Sequence, residues 1–310
     1  MSVNFTYKEK GVALITVMLI LSLATILAVS MSSRQQLDIH RSANVFNFEQ
    51  AYQYILGAES WAKQVLLRDG HDNKTDSLND DWATVLPPLP IEGGQMSGKI
   101  EDLQARFNLN NLVFDGKPQK LYVERFKRLL RNLALNEDLA AVIVDWIDFN
   151  QTTGFSGAED NEYLNLTPAY RTANQPMADI SELLLVKGVD FKIYEKLLPY
   201  VCVLKSNTAI NVNTASAEVL SSIVKDIRLE EAKTLVEERN KETYKKLDDF
   251  LQNPLLKEKK VNKEGLSVSS DYYQLNSIAQ IERITVEYTT VLNRINGETV
   301  VVLNRSRGVL

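Results

Sequence analysis

The chain of 310 residues sets 35 Lys and Arg against 40 Asp and Glu, for a formal charge of −5, and 45% of its residues are hydrophobic. That is ample for a packed body of two subdomains, and the interspersed charges build no basic face for phosphates. Cys202 is the single cysteine, so no internal disulfide can form. His40 and His71 lack metal-ligand spacing, and no Gly-rich phosphate loop, GxSxG, HExxH or paired Cys occurs, which argues against an enzyme.

Gly11 to Met31 reads GVALITVMLILSLATILAVSM and carries no charge from Val12 onward. About 20 residues at ~1.5 Å rise span ~30 Å, enough to cross a hydrocarbon core. Lys8 and Lys10 precede the stretch and the next cation is Arg34, which favours a cytoplasmic N-terminus. Three readings fit: a secretory signal cut before Met31, a plain signal anchor, and a leader of another kind. The hydrophilic tail MSVNFTYKEKG ends in Gly11 and the apolar helix begins at Val12. This resembles a type IV prepilin leader, which a peptidase would cut between Gly11 and Val12, leaving the helix on the product. Glycine, without a Cβ, suits such a cut. The fifth residue after it is Thr16, where major pilins and most pseudopilins have Glu. A carboxylate is costly in lipid unless it meets a partner, such as the amine of a neighbouring subunit. A subunit with no neighbour above it can do without one.

Ser32 to Leu67 contains no Pro and one Gly, Gly57. Val45, Phe48, Tyr52, Ile55, Leu56, Ala62, Val65 and Leu66 recur at helical spacing, so one helix continues out of the membrane with an amphipathic half. Asp69-Gly70 ends it. His71 to Gly98 is a loop with Pro87, Pro88, Pro90, Gly93 and Gly94, in which Trp82 is a packing anchor. Gly98 to Leu109 alternates as a strand.

Asn110 to Asp271 reads almost wholly helical. Lys120–Leu135 is amphipathic and Glu137–Phe149 is more buried. Ile180–Leu185 and Ile193–Leu198 pair around Gly188, Ala215–Ile223 pairs with Glu230–Asn240, and Lys246–Leu251 is a last short helix. Asp148 to Glu159 reads DFNQTTGFSGAE. Counted from Asp148, oxygen donors fall at Asp148, Asn150 and Thr152, a carbonyl at Gly154 and a carboxylate at Glu159, the ligand spacing of an EF-hand loop. Thr153 stands where that loop has Gly, and no clean helix flanks the far side. Asp160 adds a carboxylate, and Asp145 lies one helical turn before Asp148. The competing reading is a polar loop with a helix cap.

Ile210 to Arg239 (INVNTASAEVL and a helix pair) resembles helix-hairpin-helix modules, which raises a membrane-anchored DNA-binding protein as an alternative. Its turn, Val224 to Arg228, has no Gly to let backbone approach phosphate, and Asp226, Glu230 and Glu231 surround it. It reads better as a packing or protein-contact unit with no nucleic-acid partner. Tyr272 to Leu303 then holds three strand-like runs, the last two joined by Asn296-Gly297, a strong hairpin signal. With the early strand they predict an antiparallel sheet under the long helix, an α+β fold.

The Gly11-Val12 leader with Thr16, Arg106–Leu112 (RFNLNNL), Asp145–Asp148 (DWID), Gly157–Asp160 (GAED) and Ile210–Ala215 (INVNTA) occur in this order. Together they resemble the GspK family, the minor pseudopilins of bacterial type II secretion, over essentially the whole chain. The resemblance implies a leader (1–11), a transmembrane part of the helix (12–31), a pilin-like α+β domain (32–109 with 272–310) and an inserted SAM-like, helix-hairpin-helix-like domain (110–271). It further implies prepilin-peptidase cleavage, methylation of Val12, and a single pass through the inner membrane with the body in the periplasm. A role at the pseudopilus tip follows, initiating and capping assembly with the I and J minor pseudopilins among other pseudopilins, for export of folded proteins. The family's association with calcium implies Ca2+ at Asp148, Asn150, Thr152, Gly154, Glu159 and Asp160.

Overall fold

The computed structural model describes residues 10–85, 87–205 and 207–308. Residues 1–9 of the expected leader lie outside the described residues. Helix α1 runs unbroken over Lys10–Asp72, 63 residues or roughly 95 Å. Its first half is long and apolar enough to cross a membrane, and nothing among the described residues covers it. Three hydroxyls there bond within the helix: Thr16 Oγ1 donates to Ala13 O at 2.9 Å, Ser22 Oγ to Leu19 O at 2.8 Å and Thr25 Oγ1 to Leu21 O at 2.8 Å. Such internal bonds are what a polar side chain needs in lipid.

The second half of α1 packs on a five-stranded antiparallel sheet: β1 (Leu89–Ile91), β2 (Gly94–Asp102), β3 (Tyr272–Ile281), β4 (Ile284–Ile295) and β5 (Thr299–Arg307), adjacent in chain order. The buried stripe of α1 is Ala51, Ile55, Ala58, Ala62, Val65 and Leu66. It meets Tyr273, Leu275, Ala279, Ile281, Val286 and Leu292 of the sheet. The sequence stripe is shifted at its start. Val45 is exposed, and the small Ala51 and Ala58 make the contact because they let the helix sit close to the strands. The β4–β5 hairpin turns at Asn296 and Gly297, both with positive φ, as that dipeptide favours.

The early strand differs from the expected Gly98–Leu109. It starts at Gly94, where a Cβ would lie 1.8 Å from Gln280 O, and it ends at Asp102. There the Asp102 carboxylate accepts the Gln104 amide at 2.7 Å and turns the chain into a short 3-10 segment, Leu103–Ala105. Phe107–Asn108 then pairs in parallel with Val201–Cys202, away from the sheet. Pro90 hid β1, an edge strand, where Pro is tolerated.

Between neighbouring strands β2 and β3 the chain builds a helical body. It comprises α2 (Lys120–Asn132), α3 (Leu139–Ile147), α4 (Asp160–Tyr163), α5 (Phe191–Leu197), α6 (Ala217–Ile223), α7 (Leu229–Lys241) and α8 (Leu247–Leu251). The Ile180–Leu185 segment is 3-10 rather than α. One core unites the body, including Phe107, Phe126, Trp146, Tyr163, Leu197 and Leu235. Arg125, fully buried, donates to Glu264 O and Asn262 O at 2.8 Å each and ties α2 to the returning chain.

A buried polar network fastens this body to the sheet. Arg294 of β4 pairs with Asp69 at 2.9 Å and Asp76 at 2.6 Å, and donates to Ser270 O and Leu66 O. Tyr273 Oη donates to Asp76 at 2.5 Å. Asp102 accepts from Asn211 Nδ2 (3.2 Å), Thr214 Oγ1 (2.5 Å) and Ser270 Oγ (2.6 Å). It thus joins the end of β2 to the helical body through neutral donors. Gly70 lets the hairpin press on the helix end, since a Cβ there would fall 2.9 Å from Arg294 Cδ.

Burial pushes the Asp102 and Asp69 carboxyls up to about 6, against the bonds that lower them. A carboxyl raised in the folded state binds its proton more tightly there than in the unfolded chain. Stability is therefore withheld at neutral pH and gained as pH falls through the folded value toward the unfolded one. For Asp102 the effect is on the order of 3 kcal/mol. The melting temperature of the full chain in detergent is expected to rise as pH falls from about 7 toward about 4, most steeply below about 6. Asp102→Asn should flatten the rise, and a melting temperature that falls steadily on acidification would show that the junction does not hold these protons.

Candidate functional site

Helix α3 ends at Ile147, and the chain leaves it through Asp148. Asp145 and Asp148 stand one turn apart, and both are buried, as is Glu159 at the start of α4. The loop between them is folded by its own side chains. Asp148 Oδ1 accepts the Asn150 amide at 3.1 Å and Asn150 Oδ1 accepts that of Thr152 at 2.7 Å. Asp145 Oδ2 accepts the Gly154 amide at 3.0 Å, which draws the loop over α3. The Gly157 amide then donates to Gly154 O at 2.9 Å. Both glycines are dictated by Asp145, whose carboxylate would lie 1.9 Å from a Cβ at residue 157 and 3.0 Å from one at residue 154.

Glu159 is the least satisfied group. It is 1% exposed, its Oε1 has no hydrogen-bond partner, and its Oε2 receives only a long 3.4 Å bond from Thr172. Burial, then the charges of Asp145 and Asp148, push its carboxyl up to about 7. Asp145 and Asp148 are raised as well, chiefly by burial. The charges of Asp145 and Asp148 thus bear on Glu159, and that of Asp148 on Asp145. A cleft of about 370 Å³ opens onto the cluster, lined by Lys127, Asp145, Asp148, Asn150, Thr152 and Gly154.

The six residues expected to hold a metal separate into three groups. Asp148 and Glu159 converge in the interior. Asn150, Thr152 and Gly154 lie in the exposed loop, the first two already in its turn. Asp160 is engaged elsewhere: its Oδ1 accepts the Thr172 amide at 3.0 Å and the Thr172 hydroxyl at 2.9 Å, with Arg171 3.8 Å from Oδ2. Asp145 belongs with the converging pair, and its one-turn spacing from Asp148 was the signal for it. As placed, no cluster of three or more His, Cys, Asp or Glu among the described residues reaches metal-binding geometry. The donor set still fits a hard divalent cation: all oxygen, predominantly carboxylate, with one buried carboxylate oxygen left over.

The α6–α7 turn is closed to phosphate. Glu231 accepts the Arg228 amide at 2.8 Å and pairs with Lys259 at 2.8 Å, so a carboxylate of the helix itself occupies the amide end that an anion would use. These contacts, the amide first, hold the Glu231 carboxyl down at about 2. Asp226, with positive φ, stands at the tip. The proposed cut site is open: Gly11 is exposed, and a Cβ there would meet nothing within 4 Å.

Known proteins agree with this architecture. The family described as type II secretion system (T2SS), protein K matches residues 105–206 and 210–269. The type II secretion system protein K of Pseudomonas aeruginosa is 38% identical over 281 residues, covering 87% of this chain and 84% of the relative. That of Aeromonas hydrophila is 34% identical over 325 residues, covering 97% and 98%. Among solved structures, a chain of the GspK-GspI-GspJ complex from the enterotoxigenic Escherichia coli type 2 secretion system superposes with a TM-score of 0.78 at 30% identity. That match covers 87% of this chain and all of the other. Helix, sheet, helical body and sequence thus converge, and the chain belongs to the type II secretion system protein K family of minor pseudopilins.

Proposed function

We propose that this minor pseudopilin stands at the tip of the secretion pseudopilus, initiates its assembly and caps it together with the I and J minor pseudopilins. The observation that carries this reading is where the helical body sits. It leaves the sheet at Asp102 and returns at Tyr272, and both ends are fastened at the Asp69–Asp76 end of α1 through Arg294, Tyr273 and Ser270. That is the end opposite the apolar half. A subunit stacked above in the same orientation would collide with residues 103–271. The structural relative's title places its chain in a complex with GspI and GspJ, which supports the same partners here.

At the other end of α1, a prepilin peptidase cuts between Gly11 and Val12, and Val12 becomes a methylated N-terminus. The helix stays in the inner membrane and the body lies in the periplasm. Thr16 carries no charge and bonds to its own helix, so this subunit places no demand on the amine of a neighbour. Intact-mass measurement on protein from its native membrane is expected to give a chain beginning at Val12 and heavier by one methyl group. A start near Met31 would mean an ordinary signal peptide, and an intact Met1 beside active prepilin peptidase a simple anchor.

The acidic loop holds Ca2+ through Asp145, Asp148 and Glu159, with the exposed loop from Asn150 to Gly154 closing over it and Asp160 bracing α4 behind. Bound calcium supplies charge that offsets three buried carboxylates. At free calcium about 100-fold above Kd, the melting temperature should rise by about 5–10 °C. Glu159→Gln should raise the melting temperature of calcium-free protein, because it removes a buried unpaired charge, while cancelling most of the calcium response. A calcium-independent melting temperature in the natural protein would rule the site out.

A further inference from the structure

Strand β5 is a free edge of the sheet. Gly308 donates its amide to Glu287 O, and Arg294 donates its amide to Asp271 O on the β3 side. Bond direction alternates along an antiparallel ladder. With the β4–β5 register, the amides of Val300, Val302, Arg305 and Arg307 therefore point away from β4. No protein acceptor meets them among the described residues. The edge is nine residues long, contains no Pro, and begins its run of apolar residues at Val300, continuing to Leu303. Exposed edges are ordinarily blunted by Pro, inward-pointing charge or a covering element. Here the blunting is confined to a bulge in the ladder between Val291 and Leu292 and to the arginines at the far end of the strand, and the Val300–Leu303 half carries no charge.

Both flanks of the edge offer places for side chains. On the face away from α1, Leu303 and Asn304 wall a cleft of about 480 Å³ with Ile180, Pro199, Leu204 and Lys205. Leu303 is 40% exposed. On the α1 face, Arg305 is paired with Glu59 at 2.6 Å, whereas Arg307 lies over the Phe48 ring, 4.6 Å from its centroid, with no carboxylate partner among the described residues. Lys205 likewise has no ion pair among them. The edge therefore presents outward amides with a largely apolar cleft holding Lys205 and Asp179 on one face and Arg307 on the other.

We infer that β5 accepts an extended strand from another subunit of the pseudopilus tip, with an apolar side chain seated in the Leu303 cleft and acidic side chains beside Lys205 and Arg307. Only an extended chain can bond to alternate outward amides. A second copy of this chain is disfavoured, because it would bring Lys205 and Arg307 of both copies to one edge. This inference rests on the tip-assembly reading above and adds the surface through which assembly occurs.

The test is amide hydrogen exchange on the full chain in detergent, alone and mixed with the I and J minor pseudopilins, with complex formation followed by light scattering. The expected result is a complex in which the outward amides of β5 exchange at least about ten-fold more slowly than in the free chain. Val302→Pro removes one outward amide but no sheet bond. It should keep the melting temperature within a few degrees and weaken the complex about ten-fold. A complex with unchanged β5 exchange would overturn the strand inference and leave the assembly reading intact. No complex at all would overturn both, and β5 protection in the chain alone that rises with its concentration would assign the edge to a second copy. If Val302→Pro does not fold, the exchange comparison on the natural chain still decides.

Discussion

The junction of sheet, long helix and helical body depends on the buried guanidinium of Arg294. Arg294 gathers the last turn of α1, the segment after it and the chain returning from the helical body around one charge, through Leu66 O, Asp69, Asp76 and Ser270 O. Its face rests on Tyr273, 5.2 Å from the ring centroid. Arginine fits this role because its planar fork satisfies several acceptors at fixed angles while its charge is never lost. Removing it would strand two buried carboxylates, a heavier loss than the net value of any one bond. The neighbouring Asp102 has no cation and relies on hydroxyl and amide donors from Ser270, Thr214 and Asn211. The sheet and the helical body are thus fastened by polar bonds drawn from four distant parts of the sequence.

That distance explains what was legible. The long helix, the three C-terminal strands and nearly every helix of the insertion follow from local period, because each buries one face. The Asn296-Gly297 turn is legible because few dipeptides accept two consecutive positive φ values. The end of β2 is not, since it depends on the Asp102 side chain bonding to the backbone two residues on. Nothing in the alternation of residues 98–109 announces that event. Ala51 and Ala58 were missed for a related reason: small residues carry little apolar signal, yet closeness to the sheet is what they provide.

The acidic loop shows the same division. Counting from Asp148 at EF-hand intervals reaches Glu159, which is buried within the field of Asp145 and Asp148. It places Asn150 and Thr152 as equals of that residue, whereas the Asn150 side chain and the amides of both residues are spent on the turn itself. Asp145 has a stronger claim than spacing alone suggests. It bonds to the Gly154 amide and excludes a Cβ at Gly157, so the loop is shaped around its carboxylate. Spacing records sequence distance, while ligation depends on which oxygens remain unused after the loop has folded.

The two ends of α1 support one assembly logic by opposite means. At the membrane end Thr16 is neutral and bonded to its own helix, so it requires no amine from a neighbour. At the far end the helical body stands over the helix terminus and denies the space that a stacked subunit of the same orientation would occupy. The first feature makes a neighbour above unnecessary and the second makes it sterically impossible. Either could arise in a subunit that sits elsewhere in a filament, but both together fit only a subunit with neighbours on one side. Contacts must then be made laterally and from below, through the exposed face of α1 around Val45 and Phe46 and through the free edge of the sheet.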